Sequence, residues 1–113
     1  MKDCIFCKII AGEIAATFAH RDEDLVAIED LNPQAPTHLL LIPREHIPRA
    51  FDLKPEHTPV LGKIFAASAR LAEERGVDNG YRLVVNNGAA AGQSVFHLPV
   101  HLLGGRAMKW PPG

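Results

Sequence analysis

A pair of histidines four residues apart in an apolar segment, with a proline midway between them, most constrains how this chain can fold. His97, Pro99 and His101 alternate with apolar residues in the run QSVFHLPVHLLGGR, residues 93–106. At the two-residue period of a β-strand, these three residues share one face and the residues between them take the other. The pattern predicts a strand over residues 95–103, with one face for chemistry and one face in the core.

Short elements are predicted around this strand. Polar turns and prolines bound several apolar runs, as expected for strands of modest length. The predicted elements are a short helix at Cys4–Ala11 ended by Gly12, a hairpin formed by Thr17–Arg21 and Leu25–Glu29, a buried strand at His38–Ile42, and a further strand at Tyr81–Asn86.

One long helix is predicted between Thr58 and Gly76. Thr58 is a suitable N-cap, Pro59 suits the first helical position, and Gly76 is a common terminator. The sum predicts an α+β fold over a single domain, residues 1–113, with about five antiparallel strands, this helix and the short N-terminal helix. The stripe expected to face the core comprises Leu61, Ile64, Phe65, Ser68, Leu71 and Ala72.

Composition and charge exclude several classes of function. The 113 residues carry a formal net charge of -1 with acids and bases interspersed, which predicts no binding to nucleic acid polymers or anionic membranes. The sequence has no apolar run near the length of a membrane span and no basic leader followed by an apolar region. We therefore expect a cytoplasmic protein in which any phosphate site is local.

The chain has two cysteines, Cys4 and Cys7, spaced as Cys-x-x-Cys. Such a pair can be half of a metal site, a redox pair or two ordinary thiols, and the spacing alone does not choose among them. The redox interpretation is disfavoured because no strand precedes the pair and no βαβ pattern surrounds it.

The pattern from His97 to Leu103 resembles the histidine triad signature, in which three histidines alternate with apolar residues and two apolar residues follow. In this chain the middle histidine is replaced by Pro99. The resemblance extends from Cys4 to Gly113 and is to the Hint-like, purine nucleotide-binding branch of the family. The further segments that carry it are residues 4–10, 30–38, 93–95, 103–106 and 110–113.

This resemblance implies a homodimer with a purine nucleoside monophosphate pocket in each subunit and no organic cofactor. The family reaction is hydrolysis of nucleoside phosphoramidates and related mixed anhydrides, in which the middle histidine attacks the α-phosphorus. Because Pro99 has no nucleophilic nitrogen, the resemblance implies severely impaired turnover. The open alternatives are an enzyme that uses a substitute group such as His101, a nucleotide-binding dimer without turnover, and a zinc-stapled interaction scaffold.

The resemblance also assigns roles to three polar residues near Pro99. His101 matches the histidine that contacts the reactive phosphate, although a histidine on a strand can also be an ordinary core residue. His38 matches the histidine that orients the nucleophile, and with Pro99 in that place it is expected to bond water instead. Asp30 matches the carboxylate that accepts from the ribose hydroxyls, although an aspartate before a turn is commonly a cap.

The remaining pocket positions are apolar or neutral. Ile28 and Leu31 match the residues that sandwich the base. Asn86, Gly92 and Ser94 match the phosphate contacts and would form a neutral cradle of amide, backbone N–H and hydroxyl donors. Without the resemblance, the loop that carries Gly92 and Ser94 would be interpreted as an ordinary turn.

Three ring-bearing residues match no position in this subunit's own pocket. Trp110 lies in the C-terminal tail, residues 106–113, which is expected to pack and, in the dimer, to approach the partner's site. His20 and His57 lie in polar stretches and are predicted to be exposed.

A zinc site is the last implication of the resemblance. Some bacterial proteins that resemble this chain bind zinc through positions that match Cys4, Cys7, His46 and His97, a Cys2His2 set typical of closed structural sites. In this interpretation His97 is structural, not catalytic, and the metal staples the N-terminal helix to the sheet.

Overall fold

The computed structural model describes residues 3–113, which form one five-stranded antiparallel sheet and two α-helices. The predicted α+β fold is confirmed. In chain order the elements are α1 (Ile5–Ile10), β1 (Phe18–Arg21), β2 (Leu25–Glu29), β3 (Thr37–Pro43), α2 (Thr58–Glu74), β4 (Tyr81–Val84) and β5 (Val100–Gly104), with short 3-10 helices at Ala50–Asp52, Pro55–His57 and Ala89–Ala91.

The sheet has the strand order β1-β2-β3-β5-β4, so β3 is central and every one of its residues is buried. Alternation along the strands divides the core in two, because successive side chains point to opposite faces. One face packs against α2 through Leu39, Leu41, Val100 and Leu102. The other face packs against α1, where Phe6 and Ile9 meet Val26, Ile28, Leu40 and Ile42.

Helix α2 begins and ends close to the predicted residues. Its N-cap is His57 rather than Thr58, and Gly76 follows its end with a positive φ of 70°. The predicted core stripe is wrong at Phe65, which is 58% exposed. The buried residues of the helix are Ile64, Ala67, Ser68, Leu71 and Ala72.

The strand predicted over residues 95–103 is correct only in its second half. Strand β5 begins at Val100, and the segment before it leaves the ladder. Pro99 cannot donate to a ladder because it has no N–H. The Leu98 N–H instead donates to the Ile47 carbonyl, 2.7 Å away, in the loop that follows β3. His97 and His101 therefore do not share a strand face: His97 lies in this loop-bound segment and His101 lies on β5.

The predicted exposure of two histidines, His57 and His20, is also wrong. His57 is buried, because its Nδ1 accepts from the Lys54 N–H at 2.9 Å and its Nε2 donates to the Glu45 carboxylate at 3.1 Å. Trp110, expected to pack, is 83% exposed in the single subunit. His20, expected to be exposed, is partly buried and pairs with Asp22.

Within residues 3–113, no helix is long and apolar enough to cross a membrane.

Candidate functional site

The fold brings together the four predicted metal ligands from three separate segments. Cys4 caps α1, Cys7 lies within α1, His46 follows β3, and His97 precedes β5. Their four candidate ligand atoms all lie within 4.8 Å of one another. The measured separations are 3.2 Å between the Nδ1 atoms of the two histidines, 3.3 Å from Cys4 Sγ to His97 Nδ1, 3.3 Å from Cys7 Sγ to His46 Nδ1, and 3.4 Å from Cys7 Sγ to His97 Nδ1.

These separations fit a tetrahedral zinc ion. With Zn–N bonds of about 2.0–2.1 Å and Zn–S bonds of about 2.3 Å, tetrahedral angles place two nitrogen ligands about 3.3 Å apart and a nitrogen and a sulfur about 3.6 Å apart. The observed values lie within about 0.3 Å of both expectations. The Cys7 N–H also donates to Cys4 Sγ at 3.3 Å, which orients that sulfur toward the centre.

The surroundings of His97 leave its Nδ1 atom free to bind a metal. Its Nε2 donates to the Pro43 carbonyl at 2.7 Å, so the ring proton lies on Nε2 and the lone pair lies on Nδ1. Burial lowers the pKa of His97, which keeps the ring in the neutral form that a metal requires. Burial raises the pKa of Cys7, and the neighbouring Cys4 thiol raises it further.

On the α1 side of the sheet lies a cavity of about 100 Å³. The predicted site residues Asp30, Asn86, Gly92, Ser94 and His101 all line it, and so does Pro99. Gly92 adopts a φ of 99°, a left-handed conformation that L side chains rarely adopt. The cavity therefore gathers neutral donors around a buried proline, with one carboxylate at its edge.

A second, larger cleft adjoins this cavity. It has a volume of about 270 Å³ and shares Phe6, Asp30, Leu40 and Ser94 with the smaller cavity. Its walls are mainly apolar and come from α1 and β2, as expected for a site that accepts a flat ring. They include Ile5, Ile9 and the predicted base contacts Ile28 and Leu31.

Asp30 combines both of the roles considered for it. Its Oδ1 accepts from the Asn32 N–H at 2.8 Å, which is the turn-capping contact. Its Oδ2 lies 3.3 Å from His38 Nε2, and the residue lines both the small cavity and the cleft. The carboxylate therefore lies where the two spaces meet.

His38 is bonded to protein atoms on both sides of its ring, which corrects the expectation of a water partner. Its Nδ1 accepts from the Gln34 N–H at 3.0 Å, and its Nε2 lies 2.9 Å from His101 Nδ1. The partner of His38 Nε2 is therefore His101.

The cluster of Asp30, His38 and His101 has three potential ligand atoms within 4.8 Å, yet its chemistry does not fit a metal ion. Because Gln34 donates to His38 Nδ1, the proton of that ring lies on Nε2, the atom that would have to bind the metal. His97 has the opposite arrangement, with a carbonyl rather than an N–H outside the metal centre. The two histidine clusters therefore differ in whether the ring nitrogen that faces the other ligands carries a lone pair for a metal.

The pKa of His101 is lowered because the ring is desolvated by burial and lies beside His38, while the Asp30 carboxylate opposes the shift. The ring is therefore neutral at physiological pH. A neutral histidine among neutral donors can contact an anion through a hydrogen bond without adding charge.

Sequence reasoning missed two groups that organise the site. One is the Gln34 N–H, a main-chain donor that no residue pattern reveals. The other is Gln93, whose buried side-chain amide donates to the Pro48 and Val95 carbonyls while its oxygen accepts from the Gly88 N–H. Gln93 belongs to residues 93–95, one of the segments that carry the family resemblance. That membership is the one sequence signal that could have indicated its structural role.

Comparison with known proteins assigns the class. Residues 3–110 match the family model described as "Scavenger mRNA decapping enzyme C-term binding". A crystal structure of a HIT family hydrolase from Legionella pneumophila superposes with a TM-score of 0.96 and 46% identity, covering 98% of this chain and 100% of that one. The chain belongs to the histidine triad (HIT) family.

Two curated relatives cover nearly the whole chain. An uncharacterized HIT-like protein of Synechocystis is 46% identical over 99% of this chain and 98% of its own length. A protein of Brassica juncea named "14 kDa zinc-binding protein" is 42% identical over 98% of this chain and 100% of its own length.

Proposed function

We propose that this chain binds purine nucleoside monophosphates as a homodimer and hydrolyses nucleoside phosphoramidates far more slowly than a histidine triad protein with a middle histidine. One observation carries the proposal. The small cavity contains the groups that would bind ribose and phosphate, namely Asp30, Asn86, Ser94 and His101, while the residue between them is Pro99. The binding groups are present and the nucleophile is missing.

The two adjoining spaces support a nucleotide as the ligand. The cleft of about 270 Å³ has the apolar walls that a base needs, with Ile28 and Leu31 among them. Asp30 lies at the junction, where a carboxylate can accept from both hydroxyls of a ribose. The cavity of about 100 Å³ would then receive the phosphate, with donors from Asn86, His101 and the loop that bears Gly92 and Ser94.

Zinc is proposed as a structural ion held by Cys4, Cys7, His46 and His97. The geometry of these residues supports it, and so does the name of the Brassica juncea relative. The ion would supply a cross-link between α1 and the sheet. It would take no part in phosphate chemistry, because His97 is committed to it through Nδ1.

The homodimer is supported by what the single subunit leaves uncovered. Strand β4 is an edge of the sheet, and Val85 just beyond it is 45% exposed. Trp110, in the tail formed by residues 106–113, is 83% exposed, which suits a side chain that contacts the partner's site. We propose that this dimer works in the cytoplasm.

The decisive experiment measures hydrolysis of a fluorogenic adenosine phosphoramidate by the wild-type chain, Pro99→His and the matched control Pro99→Ala. Pro99 borders the small cavity, so a histidine there can place an imidazole against the phosphate. Loss of a nucleophile costs on the order of 10⁴ to 10⁶ in rate, so Pro99→His is expected to raise the rate by several orders of magnitude. Pro99→Ala is expected to remain as slow as the wild type.

Calorimetric titration with adenosine monophosphate tests binding separately. Saturable heat with wild-type protein supports the nucleotide pocket. Absence of heat would favour the alternative in which the chain is a zinc-stapled interaction scaffold. Equal and appreciable hydrolysis by all three proteins would show that position 99 does not limit turnover and would contradict the proposal.

A further inference from the structure

One buried side chain closes the 86–94 loop, which supplies most of the neutral donors of the small cavity. Gln93 is 6% exposed, and its Oε1 accepts from the Gly88 N–H at 2.8 Å. The main-chain N–H of Gln93 donates to the Gly88 carbonyl at 3.1 Å. These two hydrogen bonds hold the two ends of the turn together.

The other end of the Gln93 side chain bonds to residues outside the turn. Its Nε2 donates to the Pro48 carbonyl at 2.7 Å and to the Val95 carbonyl at 3.0 Å. A carbonyl can only accept and a main-chain N–H can only donate, so these three partners require an amide in this one orientation. A carboxylate would satisfy Gly88 but not the two carbonyls, and an apolar side chain would satisfy none of the three.

A second hydrogen bond joins the loop to the same distant segment, residues 47–51. Asn87 Oδ1 accepts from the Phe51 N–H at 2.7 Å. The segment is itself anchored, because Ile47 is 2% exposed and its carbonyl accepts from the Leu98 N–H at 2.7 Å. The 86–94 loop is therefore fastened to a fixed part of the fold.

The character of the cavity makes this fastening important for an anion. Among the described residues, 3–113, no lysine or arginine lines the small cavity, so an anion there depends on neutral donors. Donors that must be ordered during binding cost conformational entropy, whereas donors held beforehand do not. Gly88 and Gly92 have φ values of 87° and 99°, and glycine is the residue whose backbone has the most freedom to lose.

We propose that Gln93 is a positioning residue that holds the donors of the 86–94 loop in place before a ligand binds, and thereby sets the preference of the pocket for a nucleoside monophosphate over the bare nucleoside. The ligand half of this statement rests on the proposed function. The proposed base and ribose contacts, Ile28, Asp30 and Leu31, lie in and just after β2 rather than in the loop. Loosening the loop should therefore weaken the contribution of the phosphate alone.

The direct test is calorimetric titration of wild type, Gln93→Met and Ile64→Val with adenosine monophosphate and with adenosine. Methionine is close to glutamine in size but makes none of the three hydrogen bonds. We expect Gln93→Met to bind adenosine monophosphate about tenfold more weakly and adenosine within about twofold of wild type.

Ile64→Val controls for a general loss of stability. Ile64 is fully buried in the core between the sheet and α2, on the face opposite the cavity. Its truncation lowers stability and should leave both affinities unchanged. Equal weakening of adenosine and adenosine monophosphate in folded Gln93→Met, or an unchanged affinity for adenosine monophosphate, would overturn the proposal.

Asn87→Ala provides a second variant that leaves the core intact. Asn87 is exposed, so its truncation removes the hydrogen bond to the Phe51 N–H without opening a buried cavity. We expect adenosine monophosphate to bind this variant about two- to threefold more weakly, with adenosine unchanged. Unchanged affinity for adenosine monophosphate would show that the fastening of the loop does not control phosphate binding.

Hydrogen exchange on the ligand-free proteins separates this proposal from the proposed function. The Gly88 N–H should exchange faster in Gln93→Met than in wild type, while the amides of β3 should be unchanged. Faster exchange together with no binding of adenosine monophosphate by wild type would overturn the proposed function and leave the ordering of the loop by Gln93 supported. A wild-type preference for adenosine monophosphate that persists in Gln93→Met would do the reverse.

Discussion

Disrupting the proposed zinc site is expected to destabilise the fold selectively around α1. In Cys7→Ser one of four ligands is lost, and the three segments that carry the others are no longer cross-linked. An ion that binds only the folded state stabilises it by about 4 kcal/mol when free zinc is about 1,000 times its dissociation constant. At about 4 °C per kcal/mol for a domain of this size, the midpoint of thermal unfolding should fall by about 15 °C.

The rest of the fold is expected to survive this loss. Phe6 and Ile9 remain buried against the sheet, and each contributes about 1.5–3 kcal/mol through apolar burial. Hydrogen exchange should therefore accelerate first in α1 and at the Leu98 N–H, which bonds to the Ile47 carbonyl beside the centre. The amides of the central strand β3 should stay protected.

The assay is thermal unfolding of wild type and Cys7→Ser over a zinc titration, after stripping with a chelator and with metal content measured on the same samples. His20→Asn is the matched control, since His20 lies outside the centre, and it should keep the full response to zinc. An unchanged unfolding midpoint in stripped wild-type protein, or the same zinc response in Cys7→Ser, would refute the reasoning.

Three further results are expected. Gly104→Ala should cost about 1–3 kcal/mol in chemical denaturation, because its Cβ would lie 2.8 Å from Val77 Cβ, and the same substitution should cost less in a Val77→Gly background, which lacks that Cβ. Burial raises the pKa of Asp22, but hydrogen bonds from His20 and two backbone amides outweigh this effect and lower that pKa to about 2. Asp22→Asn should therefore lower the free energy of unfolding, measured in urea at pH 7. The difference from wild type should vanish as the pH falls from about 4 to 2. Asp30→Asn should weaken adenosine monophosphate binding about tenfold or more, whereas a 2′,3′-dideoxy analogue should bind both proteins equally.

The sequence predicts those elements whose signals are local. The apolar run that ends at Pro43 coincides with β3, and the proline and glycine signals around α2 give its bounds to within about two residues. The prediction that Phe65 is buried is wrong because helical periodicity defines the direction of an apolar stripe but not its width. The side chain of Phe65 is largely exposed.

The missed features depend on tertiary contacts. The prediction of a strand before Val100 fails because the Leu98 N–H finds its acceptor at Ile47, a residue some fifty positions away that no local pattern reveals. His57 is buried through partners on two separate segments. The convergence of His46 and His97 follows only from the resemblance, because their separation along the chain carries no metal-site signal.

The Gln34 main-chain N–H, not a side chain, determines which nitrogen of His38 carries the proton and hence the direction of the hydrogen bond between His38 and His101. Any amino acid except proline at position 34 would supply the same N–H, so natural substitutions there can accumulate without altering which nitrogen of His38 carries the proton. Relatives with different residues at this position can therefore share the proton arrangement as long as they share the turn. An inventory of conserved side chains would not detect this determinant, because it is inherited through the path of the backbone.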